Sequence, residues 1–279
     1  MRYSNGGKFD MEYRILALDI DGTLTNSKKE ITDRVKTDIN KLYKKDIPVL
    51  LVSGRPTEGI YPIAEEIGLL EQKGYILAFN GGKIIDTVTK EVMYQKSIPN
   101  ELVNELCDYA EKTDFAFLTY KDGKIITTKV DDQYVEIEAR INKLEAVKID
   151  NMRECAPESP DKFLLVGDPD KAEIIVKDMA KHFEGRLNIF RSEPFFIEIV
   201  PLGIDKAESL AVLLEKIGLK KEEMVACGDG RNDVTMIKYA GMGVAMENAC
   251  EEVKEVSNYV TLSNDEDGVA VAIEKFFII

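Results

Sequence analysis

Two aspartates at the end of an apolar run could perform phosphoryl transfer. Asp19 and Asp21 lie two residues apart in the segment DIDGT, directly after RILAL. One carboxylate can attack phosphorus, and the other can protonate the leaving oxygen and later deprotonate water. Taken alone, the segment would also suit a polar loop after a strand. Its significance therefore depends on what the rest of the chain contributes.

Attack of a carboxylate on a phosphate brings two anions together and requires a cation. Asp229, in the segment GDGRND, would complete a set of carboxylates with Asp19 and Asp21. Such a set suits Mg²⁺, which prefers oxygen ligands. Asp233, four residues later, could cap the helix that follows or hold a metal-bound water. The sequence thus predicts a Mg²⁺ site formed by these aspartates.

Further residues at strand and helix ends could bind the phosphate itself. The Ser53 hydroxyl and the Gly54 amide could donate hydrogen bonds to the transferring phosphoryl oxygens. Lys206 opens a predicted helix, and an ammonium beside a helix N-terminus is favourable for an anion. A lysine in this position is, without such context, more often a solvated surface residue. Its proposed role therefore depends on the other motifs.

Other catalytic chemistries lack their residues in this sequence. The chain has one histidine, His182, so a Ser-His-Asp triad or a histidine-rich zinc centre would depend on that residue. No cysteine is followed six residues later by arginine, and no Gly-x-x-x-x-Gly-Lys-[Ser/Thr] loop is present. The four cysteines are widely spaced, which favours reduced thiols in a cytosol. Carboxylates and lysines must perform any catalysis.

Composition indicates an ordinary globular protein and argues against some classes of partner. The 279 residues are 44% hydrophobic and 32% charged, an ordinary globular balance. A net charge of −14 argues against nucleic-acid binding, which uses basic surfaces. No apolar stretch is long enough to span a membrane, and the N-terminus lacks the apolar region of a secretory signal. We expect a cytoplasmic protein without a membrane partner, whose oligomeric state the sequence does not specify.

The elements that must position these residues alternate between strands and helices. Apolar runs that end in turn residues predict buried strands at 14–20, 47–54 and 75–82. Helical periodicity from Thr32 to Lys45 and from 56 to 68 separates them. This alternation is typical of a parallel α/β sheet, in which ligands bind beyond the carboxyl ends of the strands.

The middle of the chain has a different pattern. From Lys83 to Arg191 the sequence is β-rich with interleaved helical segments, which predicts an antiparallel sheet with helices on one side. The run FFIEIVP and the segments after it restore the α/β alternation. We therefore predict a doubly wound, Rossmann-like parallel-sheet core with an inserted α+β domain. The predicted limits are 11–84 and 192–279 for the core, 85–191 for the insert and 1–10 for a tail.

Taken together, these motifs resemble those of a known family. The order DIDGT, SGR, GIDKA and GDGRND is similar to that of the haloacid dehalogenase-like superfamily. The segments NGG at 80–82, RSEPFFIEIVPLGIDK at 191–206 and NDEDGVA at 264–270 resemble its Cof-type sugar-phosphate phosphatase branch. The resemblance extends from Met11 onward, and the four motifs in this order are highly specific.

The resemblance implies roles for individual residues. Asp19 would be the nucleophile and Asp21 the acid/base. The implied Mg²⁺ ligands are Asp19, Asp21 through its carbonyl, and Asp229. The implied phosphate contacts are Ile20 through its backbone, Ser53, Gly54, Lys206 and Asn232. The inserted domain would be the family's larger cap, which closes over the site and selects the substrate.

Two positions refine the comparison with the family. Asp21 stands where related ion-pumping ATPases have threonine, which points to hydrolysis of the aspartyl phosphate instead of its preservation. Ala207 follows the motif lysine where the family often has glycine, a departure that leaves the lysine itself unchanged.

The sequence predicts a magnesium-dependent phosphatase of small phosphorylated metabolites, with sugar phosphates as the expected substrates. A phosphomutase or phosphotransferase of the same superfamily would use the same residues but pass the phosphoryl group to a sugar hydroxyl. A phosphosugar-binding regulator without turnover is a further alternative, although a binder has no need of a nucleophile and an acid/base two residues apart.

Overall fold

A computed structural model describes residues 12–277 of the chain, so the predicted tail lies outside the described residues. The strands form one sheet of eight and one of six. The strands, in chain order, are β1 (Ile15–Asp19), β2 (Val49–Val52), β3 (Gly74–Ala78), β4 (Lys83–Asp86), β5 (Val92–Gln95), β6 (Ala116–Lys121), β7 (Lys124–Thr127), β8 (Ala146–Lys148), β9 (Phe163–Val166), β10 (Leu187–Glu193), β11 (Phe196–Pro201), β12 (Met224–Gly228), β13 (Met242–Ala245) and β14 (Tyr259–Val260).

Ten α-helices connect the strands in the described part of the chain. They are α1 (Asp33–Tyr43), α2 (Thr57–Glu66), α3 (Val103–Ala110), α4 (Gln133–Asn142), α5 (Met152–Cys155), α6 (Pro169–His182), α7 (Lys206–Ile217), α8 (Val234–Tyr239), α9 (Glu251–Val256) and α10 (Gly268–Phe276). Within residues 12–277, none of these helices has the length and apolar character that a membrane crossing requires.

The first sheet is parallel through most of its width. Its strand order is β14-β13-β12-β1-β2-β3-β4-β5, and the pairs from β14 to β3 are parallel. Every residue of β1, β2, β3 and β12 is buried. Parallel strands covered by helices on both faces are expected to be apolar throughout, which explains why these four segments are continuous apolar runs. The fold is the predicted α/β core with a parallel sheet.

Helix termini are fixed by local side chains. Thr32 caps α1, whose residues Val35, Ile39 and Leu42 are buried on one face against the sheet. Asp205 caps α7, and its carboxylate accepts hydrogen bonds from the backbone of Ala207 and Glu208. This cap makes Lys206 the first residue of α7, as the sequence predicted.

Two antiparallel strands extend the first sheet beyond the predicted core. β4 pairs antiparallel with β3, and β5 with β4. The sequence prediction assigned KIIDT and EVMYQKSI to the inserted domain, which is wrong for these two strands. A short hairpin has the same polar and apolar alternation whichever sheet it joins, so its sequence does not specify its neighbour.

β11 is a second correction. The run FFIEIVP was assigned to the parallel core, but β11 pairs antiparallel with both β9 and β10 in the six-stranded sheet. All six of its residues are buried. A strand covered on both faces is a continuous apolar run in either kind of sheet, and the pattern therefore did not distinguish them.

The second sheet has the order β10-β11-β9-β6-β7-β8 and is antiparallel except for the β7–β8 pair. Helices α3, α5 and α6 contribute to an apolar cluster on one face. Helix α4 contributes Val135 to a separate cluster with Leu118 and Leu164 on the other. The prediction of helices on one side is therefore wrong, because α4 covers the opposite face, where it also contacts α2.

We call the second sheet with α3 to α6 the cap, and the first sheet with the remaining helices the core. Sheet membership changes between Gln95 and Ala116 and again between Pro201 and Met224. We propose that the inserted domain spans about residues 96–202, later at both ends than the predicted 85–191.

Candidate active site

The predicted catalytic motifs meet at one edge of the first sheet. β1 lies between β2 and β12, and the direction in which successive strands are added reverses at β1. Asp19 is the last residue of β1, Ser53 follows β2 and Asp229 follows β12. The carboxyl ends of these parallel strands lie side by side, at the switch point where α/β folds bind ligands.

Asp19 is buried against the ammonium group of Lys206. Lys206 Nζ donates to Asp19 Oδ1 at 2.8 Å and to Asp233 Oδ1 at 2.5 Å. Burial by itself would lower the pKa of Lys206, but the charges of Asp19 and Asp233 outweigh it and raise that pKa above its ordinary value. Lys206 is therefore a permanent cation at the base of the site.

Asp233 connects this lysine to the loop after β12. Its Oδ2 accepts hydrogen bonds from the backbone N–H of Asp229 at 3.0 Å and of Gly230 at 2.9 Å. The side chain is fully buried. A Cβ on Gly228 would lie 2.7 Å from the Asp233 Cβ, so glycine makes room for this carboxylate. Asp233 thus fixes both the Lys206 ammonium and the loop that contains Asp229.

Asp229 is held against the turn after β1. The Thr23 hydroxyl donates to Asp229 Oδ1 at 2.7 Å. Gly22 has a φ of +86°, and a Cβ there would lie 2.4 Å from Asp229 Oδ2. Burial, opposed by the Thr23 hydrogen bond and reinforced by Asp233, raises the pKa of Asp229 to about 6. The turn and the β12 loop therefore fit together only without a side chain at position 22.

These aspartates form a concentrated group of negative charge. One carboxylate oxygen from each of Asp19, Asp229 and Asp233 lies within 4.8 Å of the others. Burial, followed by the charge of Asp233, raises the pKa of Asp19 well above its ordinary value despite Lys206. Both oxygens of Asp233 already accept hydrogen bonds, which leaves Asp19 and Asp229 as the better donors to an ion. Carboxylate oxygens are the ligands that Mg²⁺ prefers, and this group has more negative charge than Lys206 neutralises. The arrangement therefore fits a divalent cation such as Mg²⁺.

Asp21 lines the same cleft and pairs with a basic residue that the sequence analysis did not select. Arg55 donates from Nε to Asp21 Oδ2 and from Nη2 to Oδ1, each at 2.7 Å. Lys29 adds a contact at 2.9 Å to Oδ1. Burial would raise the pKa of Asp21, but the hydrogen bonds and charges of Arg55 and Lys29 lower it below its usual value. The sequence signal that could have identified Arg55 is its place as the last residue of the SGR motif.

The residues predicted to bind phosphate surround the same edge. The Ser53 hydroxyl oxygen accepts from the Arg55 backbone N–H at 3.2 Å, and Ser53 is almost fully buried. The Asn232 amide donates to Asn80 Oδ1 at 3.0 Å. The Ile20 side chain is buried in the core, and its carbonyl accepts hydrogen bonds from the hydroxyl and the backbone N–H of Thr25. The predicted phosphate contact of Ile20 therefore concerns its backbone N–H.

Asn80 links these pieces and was also missed. It has a φ of +57°, a left-handed conformation that asparagine tolerates better than most residues. Its backbone N–H donates to the Ser53 carbonyl at 2.9 Å. A Cβ on Gly54 would lie 2.9 Å from Asn80 Nδ2, so the two loops are in close contact. The NGG segment indicated a turn here, but not its contact with Ser53.

A cleft of about 290 Å³ separates this edge from the cap. Asp19, Asp21, Ser53, Gly54, Asn232 and Asp229 line it, together with Arg55 and Asn80. The cap contributes Glu138, Ile141, Asn142, Lys162, Ser192, Glu193, Phe196 and Glu198. The structure therefore brings these predicted residues together at one cleft, with Lys206 buried in contact with Asp19 and Asp233. The roles of the individual residues stay predictions.

The chain matches one family of hydrolases and is similar to several proteins of known structure or name. The sequence profile of the haloacid dehalogenase-like hydrolases matches residues 16–273. A haloacid dehalogenase-like hydrolase from Bacteroides thetaiotaomicron is 47% identical, with a TM-score of 0.93 over 95% of this chain and 100% of that one. A protein of Thermotoga maritima is 31% identical, with a TM-score of 0.87 over 94% and 97% of the two chains. A 5-amino-6-(5-phospho-D-ribitylamino)uracil phosphatase of Bacillus subtilis, YcsE, is 30% identical over 96% of this chain and 98% of its own length.

Proposed function

This chain belongs to the haloacid dehalogenase-like hydrolases and is a phosphatase, and from that premise we propose that it hydrolyses small phosphorylated metabolites through an aspartyl phosphate on Asp19, with Mg²⁺ as its cofactor. The observation that best supports the proposal is the contact of Asp19 with Lys206 beside Asp229. A nucleophile, a fixed cation and a second carboxylate at one cleft suit phosphoryl transfer.

Asp19 and Asp229 would hold the metal, with the Asp21 carbonyl as the third protein ligand that the family resemblance implies. Mg²⁺, when bound, supplies the positive charge that lets a carboxylate approach a phosphate. Lys206 stabilises one Asp19 oxygen and fixes the direction of the carboxylate. Ser53, the Gly54 amide and Asn232 border the cleft and could donate to the phosphoryl oxygens.

Asp21 is the proposed acid/base. Its two-point contact with Arg55 orients the carboxylate at the cleft and keeps it ionised, as the lowered pKa of Asp21 indicates. The ionised form suits the second step, in which a base deprotonates water to hydrolyse the aspartyl phosphate. For Asp21 to protonate a leaving oxygen in the first step, its ion pair with Arg55 must loosen when substrate binds.

A polyhydroxylated leaving group is the substrate class that we propose. The cleft is small, and its cap side is rich in hydrogen-bonding groups. The substrate named for the Bacillus subtilis relative has its phosphate on a ribityl chain, which is a sugar alcohol. Both points favour phosphate esters of sugars or sugar alcohols.

Phosphate release tests the proposal. The purified protein is incubated with a panel of sugar and sugar-alcohol phosphates and with p-nitrophenyl phosphate, in Mg²⁺ and in excess chelator. We expect inorganic phosphate in Mg²⁺ and little in chelator. An isomerised sugar phosphate without free phosphate would favour the phosphomutase alternative, and full activity in chelator would contradict the proposed metal.

A further inference from the structure

The cap side of the cleft has an unusual balance of charge. Its ionisable residues, among the described residues that line the cleft, are the carboxylates Glu138, Glu193 and Glu198 and the single ammonium of Lys162. The core side already has the groups proposed to hold the transferring phosphate. The cap residues therefore face the rest of the substrate, which is the leaving group.

Lys162 is not free to bind an anion. Its Nζ lies 2.9 Å from Glu198 Oε2, and the two side chains are 5% and 10% exposed. The ammonium also lies 5.5 Å from the centre of the Tyr120 ring. A second contact fixes the partner, because the Ser192 hydroxyl donates to Glu198 Oε1 at 2.8 Å. The one cation on this side is thus neutralised by a buried carboxylate that is itself held in position.

Glu138 adds a second buried carboxyl group. Its Oε1 accepts from the Tyr120 hydroxyl at 2.5 Å and from the Asn142 amide at 2.7 Å. Glu138 and Asn142 are on α4, the helix that covers the cleft-facing side of the second sheet. Burial raises the pKa of Glu138, although the charge of Lys162 opposes this. Even if Glu138 is protonated, Glu193 and Glu198 leave the cap side with more negative than positive charge.

Such a surface discriminates by charge. A hydroxyl or ammonium group can donate to a carboxylate, whereas a second anion would find like charges and no unpaired cation among these cap residues. Glu193 is exposed at the rim, so a leaving group can reach it without displacing the buried pair.

We propose, on the basis of the proposed function, that the Lys162–Glu198 pair together with Glu138 and Glu193 makes this phosphatase selective for monophosphates whose leaving group is a neutral polyol or bears an ammonium. The same residues would exclude monophosphates whose leaving group has a second anionic group. Glu198 acts in this selection by pairing with Lys162. The Lys162–Glu198 pair is thus a specificity-determining element of the cap.

Matched esters test the proposal in the unaltered enzyme. Sorbitol 6-phosphate and 6-phosphogluconate differ in a terminal hydroxymethyl against a carboxylate, and glucose 6-phosphate and glucosamine 6-phosphate in a hydroxyl against an ammonium. We expect kcat/KM to be at least about tenfold lower for 6-phosphogluconate than for sorbitol 6-phosphate. Glucosamine 6-phosphate should be hydrolysed at least as well as glucose 6-phosphate. Comparable or higher kcat/KM for 6-phosphogluconate would overturn the proposal.

Two variants distinguish the effect of the carboxylate paired with Lys162 from the effect of removing any one negative charge. Glu198→Gln and Glu193→Gln each remove one negative charge from the cleft, but only Glu198→Gln removes the carboxylate that is paired with Lys162. We expect the ratio of kcat/KM for 6-phosphogluconate to that for sorbitol 6-phosphate to rise in both, and several-fold more in Glu198→Gln. Because the result is a ratio within one variant, a loss of folded enzyme does not affect it. Equal ratios in the two variants would contradict the role of the Lys162–Glu198 pair.

p-Nitrophenyl phosphate distinguishes failure of this inference from failure of the proposed function. Apart from the ester oxygen itself, its leaving group has no hydroxyl or ammonium for the cap to select. Mg²⁺-dependent hydrolysis of this ester, without a preference between the matched esters, would overturn the selectivity alone. No Mg²⁺-dependent phosphate release from any ester would overturn the proposed function and the selectivity together.

Discussion

At the scale of single residues, the site depends on Lys206 and its two carboxylate partners. The Lys206 side chain is 1% exposed, and its ammonium contacts Asp19 and Asp233 at hydrogen-bond distance. A buried lysine without partners would lose its proton, but here the pair of carboxylates keeps it charged. The same contacts restrict the Asp19 carboxylate to one orientation at the end of β1, which a nucleophile requires.

Asp19→Asn should abolish nearly all turnover and leave the fold intact. The asparagine carbonyl can accept the Lys206 hydrogen bond in place of Asp19 Oδ1, but the amide is not a nucleophile. Steady-state phosphate release and thermal unfolding measure the two effects. Turnover within about tenfold of the unaltered enzyme, which is 1.4 kcal/mol of barrier, would contradict the assignment of Asp19.

Asp21→Asn should produce a loss that depends on the leaving group. An alkyl or sugar phosphate needs a proton on its leaving oxygen, so its hydrolysis should fall about a hundredfold to ten-thousandfold. p-Nitrophenyl phosphate needs little help to leave, so it should still form phospho-Asp19 and give a burst followed by slow turnover. Rapid-quench kinetics measures the burst. Equal losses for both esters and no burst would assign Asp21 a structural or metal-binding role.

At the scale of elements, the turn after β1 and the loop after β12 must interlock. Gly22 adopts a left-handed conformation directly against the Asp229 carboxylate. Gly68, at the end of α2, has a similar φ of +70°, but a Cβ there would have no neighbour within 4 Å. The two glycines therefore share backbone strain and differ in what a side chain would displace.

Gly22→Ala should remove activity, whereas Gly68→Ala should retain it. Both substitutions place alanine in a left-handed conformation, which costs about 1–2 kcal/mol of stability. In Gly22→Ala the new methyl must also displace Asp229. We therefore expect the two variants to lose similar amounts of stability, but only Gly22→Ala to lose most of its activity. Phosphate release and chemical unfolding of both variants test this. Similar activity in the two would show that the contact with Asp229 is unimportant.

At the scale of the whole molecule, a chain with a net charge of −14 concentrates part of that charge in one cleft. The carboxylates of Asp19 and Asp229 lie close to each other and to Asp233, and burial followed by this like charge raises the pKa values of both, so their negative charge is held at a cost. A cation that binds the folded state and not the unfolded chain relieves that cost and stabilises the fold.

Mg²⁺ should therefore raise the thermal unfolding midpoint of the unaltered protein. A ligand at a hundred times its Kd adds about 2.7 kcal/mol to the free energy of unfolding. Asp229→Ala should lose most of the response, and NaCl at matched ionic strength should not reproduce it, since screening is not specific. An equal rise in Asp229→Ala would contradict the assignment of this residue to the metal site. This test does not depend on catalysis.

Much of the fold and the site was predictable because the relevant signals are local. Apolar runs that end in DIDGT, SGR and GDGRND identified β1, β2 and β12 together with the polar residues at their carboxyl ends. The parallel arrangement follows from the alternation with helices, and parallel strands bring their ends to one edge. Asp19, Ser53 and Asp229 therefore meet as the sequence indicated.

The tertiary structure alone decided which strands belong to which sheet and what faces the cleft from the cap. β11 and the β4–β5 hairpin have sequences that fit either sheet, because burial on both faces and short alternation do not specify a neighbour. The contact of Arg55 with Asp21 spans 34 residues, and that of Lys162 with Glu198 joins the residue directly before β9 to the neighbouring strand β11. Such pairs depend on side-chain distances across the folded chain. Those distances are set by the packing of the folded chain. Short segments of sequence contain no signal that specifies them.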